Sequence, residues 1–366
     1  FTEVGTYTYY GTPSNDGLLR ITPSNGTNAT IDNVSVKEVL GQEVVPDSGC
    51  GSWLLEPQST NFAVPSDNKN NINSGDIQGT YVPNVLITAP DNSNTAYKFT
   101  PTQLGQSVEG ANASTNNRLY FEYGGVITTY TNSIYVKSVS GNTFNFAIKV
   151  VNQSSDTLIS SKTILVTDVW KRVDVTGLVN GSSSGVRYVI KSEQAVNLWG
   201  FQIEKQSFAT SYIPTSGATS TRLRDIATNS GNANLINSEE GVLYAEISAL
   251  ANTDIGDRTI SLSDGSVTNR LELKLSSTGS IQGRFDSASS DITLTKTGID
   301  TSNNNKIVLV WSNGKCALWI NGIKEQENLT FNTFSSNVLS DLSFYSVFIQ
   351  GSNYFYGKNK ALAVYK

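Results

Sequence analysis

Apolar and polar residues alternate along most of this chain with the two-residue period of a strand. In "TFNFAIKVV" the positions Phe144, Phe146, Ile148 and Val150 share one face. In "RLELKLS" Leu271, Leu273 and Leu275 share one face, with Glu272 and Lys274 opposite. In "LWGFQIEK" Trp199, Phe201 and Ile203 fall on one face, with Gln202 and Glu204 on the other. "DGS", "SNG" and "ING" separate such runs as hairpin turns, because Asn and Gly tolerate the left-handed backbone that tight turns demand. Apolar residues never hold helical spacing for long before a Gly, Pro or Asn intervenes. Short strands joined by polar turns predict an all-β chain of antiparallel sandwiches.

The pattern divides the chain into three blocks. Residues 1–40 hold the strands "VGTYTYY", "GLLRITP" and "ATIDNVSVKEV", too few to close a sandwich. They are expected to be the terminal strands of a preceding jelly-roll-like domain. Residues 41–73 are expected to be a linker, 74–215 a complete sandwich, 216–238 a second linker and 239–366 a second sandwich. "WKRVDVTGLVNGSSSGVRYVIKSEQAVNLWGFQIEK" follows the plan of residues 1–39: a short strand, a Gly-rich turn, and a last strand closing on Glu-Lys or Lys-Glu. The chain therefore reads as a repeat array entered partway. It begins with Phe1 and contains no Met, so it is expected to be the C-terminal part of a longer polypeptide.

Three stretches of the middle block, "NSIYVKSVSGNTFNFAIKVV", "VWKRVDVTG" and "NLWGFQIEKQSFATSYIPTSG", resemble the jelly-roll carbohydrate-binding modules of secreted glycan-active and phage virion proteins. The last of them resembles the closing signature of phage tail-fibre domains. "GSWLLEPQSTNFAVPSDN" resembles the segment that precedes such a domain. In the third block, "GVLYAEISAL", "NKIVLVWSNGKCALWINGIKEQ" and "YFYGKNKALAVYK" resemble the laminin-G-like, concanavalin-A-like lectin fold. The resemblance implies a non-catalytic, tail-fibre-like virion appendage that displays glycan-binding domains for host-surface attachment. Its implied partners are a host cell-surface glycan, other virion proteins and further copies of itself. Its implied place is the virion surface or the extracellular space. Two alternatives stay open: an accessory carbohydrate-binding region of a secreted glycan-active enzyme, and a bacterial surface adhesin. The folds require no cofactor, and both are compatible with Ca2+.

Composition narrows the chemistry. The 366 residues carry a net charge of -5 and no basic stripe, which argues against nucleic acid as a partner. No apolar run reaches the length of a membrane span. With no His in the chain, Ser-His-Asp and Cys-His catalysis are excluded. The adjacent acids Glu239 and Glu240 would point to opposite faces of a strand and could not converge on one glycosidic bond. Tyr354, Tyr356 and Lys358 would suit a lyase on paper, but they read more simply as a terminal strand. Cys50 and Cys316 read as unpaired thiols. Sugar binding asks for exposed aromatic faces beside side chains that bond hydroxyls. Asn353, Tyr354 and Tyr356, between Gly351 and Gly357, are candidates for it; so are Tyr120 and Tyr123, close to Tyr130. Asp254, Asp257 and Asp264 lie in turns and would suit a hard cation. Trp170, Trp199, Trp311 and Trp319 are expected in cores.

Overall fold

The structure, a computed structural model, describes residues 44–47, 50–64, 66, 79–105, 107–108, 118–123, 128–152, 157–178, 186–251, 256–348 and 353–366. The strands expected in residues 1–40 lie outside the described residues. Gln42–Lys366 forms one compact unit. Among the described residues every regular element is a strand, as the alternation predicts.

The described chain opens with β1 (Val44–Asp47), β2 (Cys50–Leu55) and β3 (Ser59–Asn61). A first sandwich follows, made of β4 (Gly79–Val82), β5 (Tyr97–Pro101), β6 (Arg118–Tyr123), β7 (Thr129–Ser138), β8 (Phe144–Asn152), β9 (Leu158–Val166), β10 (Lys171–Leu178), β11 (Val186–Ser192) and β12 (Val196–Glu204). After β13 (Ser220–Arg222) comes a second, made of β14 (Gly241–Ala249), β15 (Arg258–Ser263), β16 (Arg270–Ser276), β17 (Ser280–Ser287), β18 (Ser290–Thr297), β19 (Asn305–Ser312), β20 (Lys315–Ile320), β21 (Ile323–Asn328), β22 (Asp341–Ser343) and β23 (Gly357–Tyr365).

In the first sandwich a five-stranded sheet, ordered β10-β7-β12-β5-β4, faces a four-stranded one, ordered β6-β11-β8-β9. Phe99, Ile134, Val136, Phe146, Ile148, Val150, Tyr188 and Ile190 interdigitate between them. Each such side chain contributes about 1.5–3 kcal/mol on burial. In the second sandwich β18-β17-β16-β15-β22 packs on a seven-stranded sheet, ordered β1-β2-β23-β14-β19-β20-β21. Leu271, Leu273, Phe285, Leu309 and Trp311 are among its core residues. Cys316 is a free, buried thiol in this core, and burial pushes its pKa up to about 11.

Three features differ from the expectations. First, the polar connections carry strands. β1 and β2 extend the second sandwich's sheet through β23, and β3 pairs with β13 across 41–73 and 216–238. The partners of β2 and β3 lie far along the chain, so composition alone reads these segments as linkers. Second, Trp199 does not share a face with Phe201 and Ile203. The pairing of β12 with β7 shifts between Trp199 and Gln202, and Gly200 sits there at φ 64°. The inserted residue turns Trp199 outward onto Tyr135 and Tyr212, while Phe201 and Ile203 stay in the main core. Third, Trp319 is not in the core. Ser312 pairs with Lys315 around the Asn313-Gly314 turn, which sets Trp311 opposite Cys316 but Trp319 opposite Val308. Trp311 faces inward and Trp319 faces out, 36% exposed.

Candidate functional site

Residues 51–64 and 66 meet residues 198–217 in space. Asn61 makes four hydrogen bonds here, three of them from one stretch to the other. Its Nδ2 donates to the carbonyls of Phe201 (3.3 Å) and Ile213 (2.8 Å), and its Oδ1 accepts from the N–H groups of Ala63 (2.9 Å) and Ile203 (3.0 Å). Glu204, fully buried, accepts from Ser59 Oγ (2.6 Å), Gln206 Nε2 (2.9 Å) and Thr210 N–H (3.0 Å). Gln202 Oε1 accepts from Ile213 N–H at 2.7 Å. Ser66 N–H donates to Thr215 Oγ1 (2.8 Å), and Thr215 N–H donates back to Ser66 Oγ (2.9 Å). Buried polar groups are costly unless bonded, and here they bond each other. The polar string after β12 is thus a cross-braced wall.

The same brace reaches the second sandwich. Glu56, at the end of β2, accepts from Ser211 N–H at 2.8 Å, and Arg222 Nη2 lies 3.2 Å from its Oε2. Glu56 and Asp225 exchange backbone contacts: Glu56 N–H donates to Asp225 Oδ2 (2.8 Å) and Asp225 N–H to Glu56 O (2.9 Å). Burial pushes the Glu56 carboxyl up, and the Arg222 guanidinium opposes that.

Beside this brace lies an open cleft of about 340 Å³, lined by Pro57, Thr128, Thr129, Lys205, Gln206, Ser207 and Tyr356. Tyr356 comes from the strand-like run into β23; its neighbours come from the first sandwich and the connecting segment. The ring of Tyr354 is stacked with that of Tyr356, centroids 6.2 Å apart and planes 19° apart. Tyr345 packs against Tyr354 at 5.8 Å, tilted by 36°. The Arg224 guanidinium sits 4.5 Å from the Tyr354 ring centre and donates to Tyr356. Burial raises the Tyr356 phenol above its ordinary range, and the Arg224 bond works against that. At the cleft the Tyr356 ring therefore borders an amine, an amide and several hydroxyls.

The other candidates disperse. Asn353, at φ 53°, passes its carbonyl to Thr259 N–H at 3.1 Å, which positions the run into Tyr354. Tyr120 and Tyr123 lie on β6, opposite Val189 and Val186; their side chains lie outside the described residues. Tyr130 is on β7, in the other sheet, and buried. Asp254 lies outside the described residues. Asp257 and Asp264 flank β15 at opposite ends, about 20 Å apart for a strand of that length. Asp257 pairs with Lys274 (3.1 Å), and Asp264 accepts from Ser266 N–H (2.8 Å) and Asn269 Nδ2 (2.9 Å). They share no cation site, and among the described residues no three His, Cys, Asp or Glu side chains gather to form one. Lys205, Gln206 and Ser207 line the cleft without having been singled out. Their position immediately after the closing Glu204 is the signal that could have found them.

No protein-family model and no curated protein matches the chain. Among solved structures it is similar to the CBM40 of the Ruminococcus gnavus IT-sialidase bound to α2,3-sialyllactose. Identity there is 16% over 38% of this chain and 87% of that one, with a TM-score of 0.32. It is also similar to domains LG4-5 of the mouse laminin α1 chain, at 11% identity over 72% and 91%, TM-score 0.28. The CBM22-1–CBM22-2 tandem of Paenibacillus barcinonensis Xyn10C is similar at 10% identity over 87% and 99%, TM-score 0.27. At these scores the likeness says nothing of ligand or activity. The fold itself is all-β, two sandwiches of antiparallel sheets.

Proposed function

We propose that the chain is a non-catalytic glycan-binding protein, carried on a tail-fibre-like virion appendage and used for attachment to host-surface glycans. The observation that carries this reading is the cleft. The Tyr356 ring, backed by the stacked Tyr354, walls about 340 Å³ of open space edged by Lys205, Gln206, Ser207 and Thr129. Pyranose rings offer an apolar face to such a wall and hydroxyls to such an edge. The acids beside the cleft are committed elsewhere: Glu56 to Ser211 and Arg222, Glu204 to Ser59, Gln206 and Thr210. Glycoside hydrolysis needs two carboxyl groups on either side of one bond. Neither of these is placed for that task, which supports binding without turnover.

An open cleft buries little of a sugar, and each hydroxyl exchanges one hydrogen bond for another. Single-site affinity is therefore modest, and linked copies raise it on the order of a hundredfold when they can engage together. A glycan array probed with the chain and with its native assembly tests the proposal. The expected outcome is specific binding, stronger for the assembly, with Tyr356→Ala about tenfold weaker. Binding untouched by Tyr356→Ala would remove the cleft from the reading. Hydrolysis of any bound glycan, abolished by a single acid-to-amide change, would replace it with an enzyme.

A further inference from the structure

The outer face of the seven-stranded sheet carries an arrangement independent of the cleft. Its register sets Ala363, Tyr244, Val308, Trp319 and Lys324 in one row across β23, β14, β19, β20 and β21. Their chain neighbours Leu243, Ala245, Ile307, Leu309, Leu318 and Ile320 fill the core, so the row faces outward. The Tyr244 hydroxyl donates to Glu246 Oε2 at 3.2 Å, two residues along the same strand, so its ring lies along the sheet. Tyr244 and Trp319 are two strands apart, about 10 Å, with the low side chain of Val308 between them.

That spacing matches about two sugars of an extended, equatorially linked pyranose chain. In such a ribbon successive rings are turned over, so alternate rings present the same face. Two aromatic rings at this spacing would each stack on one of them, with the intervening sugar over Val308.

The charges around the row select further. Lys360 lies 3.3 Å from Glu246, and Lys315 (2.7 Å) and Lys324 (3.1 Å) share Glu327. Lys306, beside Glu246 in the register, is exposed. Four lysines and two glutamates thus frame the row, a local positive surplus on a chain of net charge -5. We propose that this face binds a single extended β-linked hexopyranose chain bearing carboxylates, laid across the strands and stacked on Tyr244 and Trp319. Adjacent strands rotate by about 20–25°, so the strands that carry the two rings differ in direction by about 45°. A single soluble chain can twist to follow them; the flat surface of a crystalline polysaccharide cannot.

Electrophoresis of the whole chain through gels containing carboxymethylcellulose or hydroxyethylcellulose tests this, since the two polymers share a backbone and differ in charge. The expected result is retardation by carboxymethylcellulose that weakens as salt is added. Trp319→Ala and Tyr244→Ala should each weaken it about tenfold, and Trp319→Phe should retain most of it. Retardation lost in Tyr356→Ala but kept in Trp319→Ala would assign the binding to the cleft and overturn the proposal. Absence of retardation by either polymer, full retardation of Trp319→Ala, or preference for crystalline over soluble cellulose would overturn the proposal. Equal, salt-independent retardation by both polymers would overturn its charge selectivity.

Discussion

Gly200 holds a backbone angle of φ 64° at the bulge in β12, with a side chain's first carbon destined to lie 3.3 Å from the rings of Tyr135 and Tyr212. A left-handed conformation strains any L side chain, and two packed rings leave little slack to relieve it. Gly200→Ala should lower stability by about 1–3 kcal/mol, read as a shift in the urea midpoint. An unchanged midpoint would mean that the bulge relaxes without cost. Asp257 gives a test of opposite character. Burial works to raise its pKa, but Ser277 N–H, Lys274 and Ser276 outweigh that and hold it below the ordinary carboxylate range. Because the folded value is depressed, the stabilisation is present above the unfolded pKa and is lost as pH falls through the folded one. Asp257→Asn should therefore lose stability at neutral pH and show a shallower further loss on acidification, measured by thermal unfolding across pH 2–7, a range set by ordinary carboxylate titration.

At the scale of elements, Asn61 shows what a strand pattern conveys and what it hides. It ends β3 and satisfies two carbonyls and one N–H group from β12 and its following loop, and the N–H of Ala63 in its own segment. Asn61→Ala would strand these buried groups, at about 1–3 kcal/mol each, so a loss of about 3 kcal/mol or more is expected by denaturant titration. A loss under about 1 kcal/mol would show that water replaces the side chain. The alternation of apolar residues made strands such as β8, β12 and β16 legible, because each sheet buries one face. It misplaced Gln202 and Glu204, which lie on the polar side of β12 yet are fully buried under the segment that carries Ser59 and Asn61. It misplaced Trp319 because the register of its hairpin, not its hydrophobicity, decides which face it takes. Of the site, Tyr354 and Tyr356 were legible as aromatics between glycines. Lys205 and Gln206 were not, since only folding brings them across from Tyr356.

At the scale of the whole unit, β1 and β2 connect what composition would separate. Leu55 belongs to the second core, while Ala63, eight residues on, belongs to the first. A fragment comprising residues 239–366 would lack Leu55 and leave the edge of β23 unpaired, an invitation to strand pairing between copies. Residues 42–366 are expected to unfold in a single transition, and the 239–366 fragment at a lower temperature with aggregation; calorimetry with light scattering reads both. Equal midpoints would show that the entering strands contribute nothing.

The order β1-β2-β23 also fixes how this unit would respond to being pulled. Both pairings are antiparallel, so β1 and β23 point the same way. Tension entering at Val44 and leaving at Tyr365 therefore drags the outer two strands in opposite senses along their own length. The ladders Val44–Asp47 with Cys50–Trp53, and Trp53–Leu55 with Gly357–Asn359, then bear the load side by side instead of parting one bond after another. A chain loaded at these two points would gain mechanical endurance from that arrangement alone.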